Sequence, residues 1–350
     1  VKAGGVLFLG IEGPVLEKEE AKILRRVQPA GIVLVTRNIQ SEAQLRVLTS
    51  ELRAAAPQAI FCLDAEGGRV DRLRNVVAPA PAAADLADCA PALARRSGTL
   101  IGAALRELDF DLDFAPVVDL DHGEIGNALD GRTFGATPRK VTARAKAFLD
   151  GLHASGVAGC IKHFPGLGRA AADTHNRGAS IAASEGELIR DLTPFTDLLN
   201  VTDSMMVSHA TYPGWDPASI PASLNPAISK ALVRGRVGFK RALFSDDLEM
   251  GALSGFGSLP ELGELALAAG CDGLLFCRRV EQAPAIAAGL VKPALRARLE
   301  QALRRLERLK RDLRKLRREA PSNPALETVR RRLAALAAAV SGRRAPSSAG

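Results

Sequence analysis

Residues 138–168 read PRKVTARAKAFLDGLHASGVAGCIKHFPGLG, and this stretch sets out the repeat on which the fold is built. Pro138 opens a helix-length run that reaches Ala154, since proline is tolerated in a first helical turn. Gly156 looks like a helix end. Gly156–Ile161 then forms a short apolar run, and the polar pair Lys162-His163 stands where that run stops. The same succession recurs on both sides. The other apolar runs are Gly5–Gly10, Gly31–Val35, Ala59–Leu63, Leu112–Val118, Met205–Val207, Arg241–Phe244 and Gly273–Phe276. They are nearly continuous in Val, Ile, Leu, Phe and Cys rather than alternating, which suits strands buried on both faces of a parallel sheet. Helix-length stretches lie between most of them: Glu17–Gln28, Ser41–Ala55, Pro91–Glu107, Glu185–Asn200, Asn225–Arg234 and Leu259–Ala269. Ser41 beside Glu42, Ser184 with Glu187 three later, and Asn225-Pro226 read as helix starts; Gly270 reads as another end. Eight strand–helix units predict an α/β chain folded as a (β/α)8 barrel of the TIM type. The rival doubly wound sheet would usually carry a phosphate loop after its first strand. Gly10-Ile11-Glu12-Gly13-Pro14 fits neither G-x-G-x-x-G nor a P-loop.

The chain has 350 residues, 47% hydrophobic and 25% charged, an ordinary balance for a globular protein. No run of about 18 uncharged apolar residues predicts a membrane span, and Val6–Leu9 is too short for a signal-peptide core. The five cysteines (Cys62, Cys89, Cys160, Cys271, Cys277) are scattered and form no C-x-x-C. They read as buried thiols in a reducing, cytoplasmic compartment. The net charge of +8 invites a nucleic-acid reading, but residues 292–350 hold 17 Lys and Arg against 5 Asp and Glu. The other 291 residues carry 30 basic and 34 acidic groups, so the body is mildly acidic. With only 4% aromatic residues there is little to stack on bases, and nucleic acid is not the expected partner.

The basic excess falls on a distinct segment. Leu295, Leu299, Leu303, Leu306, Leu309, Leu313 and Leu316 step by three or four, an apolar stripe on one long helix whose other face is Arg and Lys. Pro321-Ser322-Asn323-Pro324 stops it. The expected organisation is a barrel over residues 1–291, a basic amphipathic helical extension over 292–340, and a disordered tail over 341–350. The plain reading of the basic face is a solvated helix packed on the barrel. Sharper readings are contact with an anionic partner or a helix–helix interface.

In such a barrel the active site lies at the carboxyl ends of the strands, and there the polar residues gather. The third run ends in Asp64-Ala65-Glu66-Gly67-Gly68-Arg69-Val70-Asp71-Arg72, and the fourth in Asp119-Leu120-Asp121-His122, reaching Arg132. The fifth ends in Lys162-His163, the sixth in Ser208-His209, and the seventh in Ser245-Asp246-Asp247-Leu248-Glu249. Ionisable groups at five consecutive strand ends point to a convergent polar site, because leaving them unpartnered would cost stability. Singly, each has a plainer explanation: His163 as a bonded core histidine, Asp246-Asp247 as a helix cap, Arg72 and Arg132 as ion-pair partners, Asp173-Thr174-His175 as a turn. No histidine pair makes H-x-H or H-E-x-x-H, so a hydrolase using carboxylate and imidazole without metal fits better than a metal hydrolase.

Lys162-His163-Phe164-Pro165-Gly166-x-Gly168-x₄-Asp173-Thr174-His175 closely resembles the K-H-F-P-G-H-G-x₄-D-[ST]-H signature of bacterial β-N-acetylglucosaminidases of glycoside hydrolase family 3, the NagZ-type enzymes of cell-wall recycling. Thr36-Arg37-Asn38, Asp64-x-Glu66-Gly67-Gly68-Arg69-Val70, Arg132-x-Phe134-Gly135 and Ser245-Asp246-Asp247-Leu248-x-Met250 resemble further motifs of that family, over roughly residues 5–290. The resemblance implies a retaining double displacement without metal or cofactor. It implies Asp246 as nucleophile and His175 as acid/base held by Asp173. It implies Asp64, Arg72, Arg132, Lys162 and His163 as the shell that binds a terminal N-acetylglucosamine, and an anhydro-muropeptide as substrate. The protein is expected to act as a monomer. Ala65 stands where the family usually has Gln, and Leu167 where it usually has a second His. These departures keep open a family 3 glycosidase of other sugar specificity, or a carbohydrate-binding relative with impaired catalysis.

Overall fold

The computed structural model describes residues 2–123, 127–170 and 178–341. Eight parallel strands close into a barrel in the order β1 (Leu7–Leu9), β2 (Gly31–Val33), β3 (Ile60–Leu63), β6 (Leu112–Asp113), β7 (Ala158–Phe164), β8 (Ser204–Val207), β9 (Ala242–Asp247) and β10 (Gly273–Phe276). The seam is sealed by β1 against β10, with Leu7 opposite Leu274 and Leu9 opposite Phe276. A two-stranded hairpin, β4 (Ala65–Gly67) and β5 (Val70–Asp71), rises from the carboxyl end of β3. Gly67 and Gly68, at φ 87° and 63°, make its turn with backbone angles that side chains rarely adopt.

The surrounding helices are α1 (Lys18–Val27), α2 (Glu42–Ala55), α3 (Ala83–Leu86), α4 (Pro91–Glu107), α5 (Pro138–Ala154), α6 (Glu185–Asp197), α7 (Leu259–Ala269), α8 (Ala283–Gly289), α9 (Arg296–Glu319) and α10 (Leu326–Ser341). The start signals act as expected: the Ser41 hydroxyl accepts from the Gln44 N–H, and Ser184 and Glu187 form a reciprocal capping box. Two expectations shift. Residues 227–236 wind as a π-helix where an α-helix was expected from Asn225. The fourth run keeps ladder pairing only at Leu112–Asp113; beyond it the chain touches β7 through Val117 and Val118, both against Lys162.

Phe8, Phe114 and Phe244 fill the barrel interior edge to face, with Phe8 and Phe244 centroids 4.8 Å apart. Gly273 makes room for them: a Cβ there would stand 2.4 Å from the Phe244 ring. The opposite, amino-terminal end of the barrel is covered by α9. Leu303 lies against Gly5 before β1. Arg298 and Arg305 reach Asp272 before β10, at 2.7 and 3.0 Å. Arg317 reaches Asp109 and Asp111 before β6, at 2.9 and 3.1 Å. Leu299, Leu306, Leu309 and Leu313 are buried beneath it, so the leucine stripe packs on the barrel. No described helix is long and apolar enough to cross a membrane.

Candidate functional site

The carboxyl ends of the strands frame an open cleft of about 1080 Å³, into which Asp64, Arg72, Arg132, Lys162, His163 and Asp246 all project. The strand-end residues read from the sequence therefore converge. Asp173 and His175 lie outside the described residues.

A buried charge network forms the floor of the cleft. Lys162, near the end of β7, is 2% exposed and places its ammonium 2.7 Å from Asp64 and 2.6 Å from Glu66. Burial alone would discharge this lysine, but Asp64 and Glu66 outweigh it and raise its pKa. Arg132 grips Glu66 with a two-pronged pair, Nε to Oε2 and Nη2 to Oε1, both 2.8 Å. Burial opposes ionisation of Glu66, yet Arg132 and Lys162 hold its carboxyl down at about 2. Asp64 is likewise held well below the carboxylate range against burial by Lys162 and Arg72. Arg72 lies 3.4 Å from Asp64 and donates to the Thr36 hydroxyl at 3.2 Å.

His163 is fixed from both sides. Its Nδ1 stands 2.7 Å from Asp119 Oδ2, and its Nε2 lies 3.4 Å from Arg132 Nη2. A guanidinium can only donate, so Nε2 is the acceptor there and Nδ1–H donates to the carboxylate. Asp119, fully buried, also takes the backbone N–H groups of His163 and Leu167. It thereby fixes the start of the chain that leaves β7.

Asp246 and Asp247 end β9 with opposite electrostatic states. Burial works against charge on Asp246, but His209 foremost, with the Asp247 N–H and Lys162 among the rest, outweighs it and lowers the pKa. Asp246 is therefore an ionised carboxylate at neutral pH, with Oδ1 accepting the Asp247 N–H at 2.8 Å. Asp247 is pushed up to about 7 by burial, with the charges of Glu249 and Asp246 adding, although two backbone N–H groups bond it. His209 supports the pair from behind: Nε2 lies 2.9 Å from the Asp247 carbonyl and Nδ1 2.7 Å from the Ser223 hydroxyl.

Four contributors were not singled out in the sequence: Glu66, Asp119, Asp247 and His209. Each stood in a strand-end run, but nothing in the spacing separates a residue facing the cleft from one that holds it. The Thr36-Arg37-Asn38 motif is chiefly structural. The Arg37 guanidinium bonds the Ile11, Glu12 and Cys277 carbonyls, and Asn38 bonds those of Ile11 and Gly13. Ala65 is buried in β4 with its N–H on Asp113, while Leu167 is buried and lines the cleft. An anionic carboxylate beside buried, preorganised cations suits nucleophilic attack on a polar substrate gripped through its hydroxyl groups.

Residues 7–309 match the family described as Glycosyl hydrolase family 3 N terminal domain. A beta-hexosaminidase of Pseudomonas aeruginosa is 39% identical over 276 residues, which cover 78% of this chain and 82% of the relative. Among solved structures, a glycoside hydrolase family 3 beta-N-acetylglucosaminidase from Paenibacillus sp. superposes with a TM-score of 0.85 at 28% identity, over 96% of this chain and 68% of that one. NagZ from Neisseria gonorrhoeae, in complex with N-trifluoroacetyl-D-glucosamine, superposes with a TM-score of 0.78 at 29% identity, over 95% and 98% of the two chains.

Proposed function

The chain belongs to glycosyl hydrolase family 3, and from that premise we propose that it is a retaining exo-β-N-acetylglucosaminidase. The observation that carries the reading is the ionised Asp246 carboxylate facing the same cleft as the Asp64–Lys162–Glu66–Arg132 network. Asp64, Arg72, Arg132, Lys162 and His163 hold the terminal sugar. In the first displacement an Asp246 oxygen bonds to the anomeric carbon as the bond to the aglycone oxygen breaks, and His175, held by Asp173, gives that oxygen its proton. In the second, His175 takes a proton from water, which attacks the same carbon and releases Asp246. An imidazole suits both roles because its ordinary pKa of about 6.5 lies near operating pH.

The hexosaminidase relatives and the motif from Lys162 to His175 support N-acetylglucosamine as the sugar, and an anhydro-muropeptide of cell-wall recycling as the natural substrate. Five free, buried cysteines suit a reducing cytoplasmic compartment. The catalytic unit is the barrel of residues 1–291, acting as a monomer, with residues 292–340 as a helical extension. Leu167 in the cleft, where the family usually has His, favours a second reading in which the sugar range differs.

A panel of aryl β-glycosides, the N-acetylglucosaminide and the glucoside foremost, separates the two readings. Asp246→Ala should abolish turnover in a folded protein, and a fluorinated N-acetylglucosaminyl inactivator that keeps the 2-acetamido group and slows deglycosylation should label Asp246. Label on Asp247 or Glu249 would overturn the assignment.

A further inference from the structure

The face of α9 turned away from the barrel carries charge that its surroundings do not balance. Arg304, Arg308, Arg311, Arg314 and Lys315 are exposed, and none has a carboxylate within ion-pair distance among the described residues. Arg304, Arg308, Arg311 and Lys315 step by four, three and four, so they form one row about 16 Å long. The solvent-reaching acids of the helix are fewer: Glu300, paired with Arg296 at 3.3 Å, Glu307, paired with Lys310 at 3.3 Å, Asp312, and Glu319 beside Arg318. The excess continues beneath the row. Among the described residues Asp272, fully buried, is the one carboxylate that meets Arg234, Arg298 and Arg305, at 2.7, 2.7 and 3.0 Å. Arg234 Nε and Arg298 Nη1 are buried with no acceptor among the described residues.

We infer that this cationic barrel floor docks on an anionic lipid surface, with phosphate headgroups meeting the Arg304–Lys315 row. Three observations favour a lipid surface. The helix lies along the barrel end over its length instead of projecting, which hinders deep entry into a DNA groove. Its outer face holds no aromatic residue to stack on bases. The row runs along a helix that lies across the barrel end, from Gly5 and Asp272 to Asp109 and Asp111, rather than jutting from it. With the leucine stripe turned to the barrel and the row itself made of Arg and Lys, attachment is electrostatic and reversible. The floor is opposite the cleft, so a docked molecule keeps its mouth open to the aqueous phase.

The test uses the full chain and vesicles of 40% phosphatidylglycerol in phosphatidylcholine, read by flotation at ~0.05 and ~0.5 M NaCl. Each cation near such a surface is worth roughly fivefold in partitioning. Binding should appear at low salt, vanish at high salt, and be absent on pure phosphatidylcholine. R304E/R308E/R311E/K315E should lose at least about 100-fold, while R304K/R308K/R311K keeps binding. Hydrolysis of an aryl glycoside should be unchanged in both, which also shows that the variants fold. Wild-type protein that ignores the anionic vesicles, binds neutral ones equally, or retains binding after charge reversal overturns the proposal. Tighter binding to a 20-base-pair DNA duplex than to the vesicles at equal salt also overturns it, in favour of nucleic acid.

Discussion

Glu66→Gln isolates the electrostatics of the cleft floor, because it keeps the side-chain volume and deletes one charge. In the native chain Glu66 is 7% exposed and answers both Arg132 and Lys162. Its carboxyl sits at about 2 against an ordinary 4.5: burial opposes this, and Arg132 and Lys162 prevail. A depressed carboxyl contributes stability that is complete above pH ~4.5 and is lost as pH falls through the folded value. The difference is worth roughly 3 kcal/mol at neutral pH. An independent expectation, that removing one partner of a buried ion pair costs about 3–5 kcal/mol, gives the same size. Urea unfolding at pH 7 should therefore place the variant about 3 kcal/mol below the parent. The two curves should converge as pH falls from about 5 towards 2. Hydrolysis should weaken too, since Arg132 and Lys162 lose the group that aims them. A variant within ~0.5 kcal/mol of the parent at pH 7, with the same acid limb, would refute the view that this carboxylate is the counter-charge of the site.

His175→Ala should lose about 10²–10⁴ of its rate on a disaccharide, lose less on a nitrophenyl glycoside, and recover with azide as a β-glycosyl azide; unchanged hydrolysis of both substrates would remove His175 from the mechanism. Asp247→Asn removes a carboxyl that folding raises from 3.8 to about 7, so the parent loses stability across that window, where the unfolded chain has released the proton that the fold retains, and levels off above it. Stability relative to the parent should therefore rise with pH through about 7, and a pH-independent difference in urea midpoint would contradict that. Leu306, fully buried on the barrel-facing side of α9, should cost about 2–5 kcal/mol as Leu306→Ala, seen as a lower thermal midpoint; no change would mean that α9 is not part of the barrel core.

The barrel was legible because its strands are apolar runs too short to be helices, each followed within two residues by an ionisable one. Asp64, Lys162, His163 and Asp246 were legible because each sits at such a closing point. What failed to show depends on direction rather than position. Glu66 lies two residues from Asp64, but it joins Lys162 and Arg132 only because the Gly67-Gly68 turn folds Ala65–Asp71 back as a hairpin. Asp119 reads like Asp64, yet the irregular backbone after Asp113 turns it under His163. His209 closes the sixth run, but its ring is spent on Ser223 and the Asp247 carbonyl. The leucine stripe predicted that α9 packs; it did not reveal that the surface beneath is the barrel floor.

That placement bears on how the chain is made. Leu303 seals Gly5, almost three hundred residues upstream, and Arg317 seals Asp109 and Asp111. During synthesis β1 can pair on one side with β2, but it waits for β10, and both wait for α9 to cover their amino ends. A nascent or prematurely terminated chain that lacks α9 thus presents an open apolar floor and leaves Asp109 and Asp111 with Arg53 as their shared cation. Exposed surface of that kind is what chaperones and proteases engage, so α9, which emerges long after β1, also distinguishes molecules whose floor is covered from those whose floor is open.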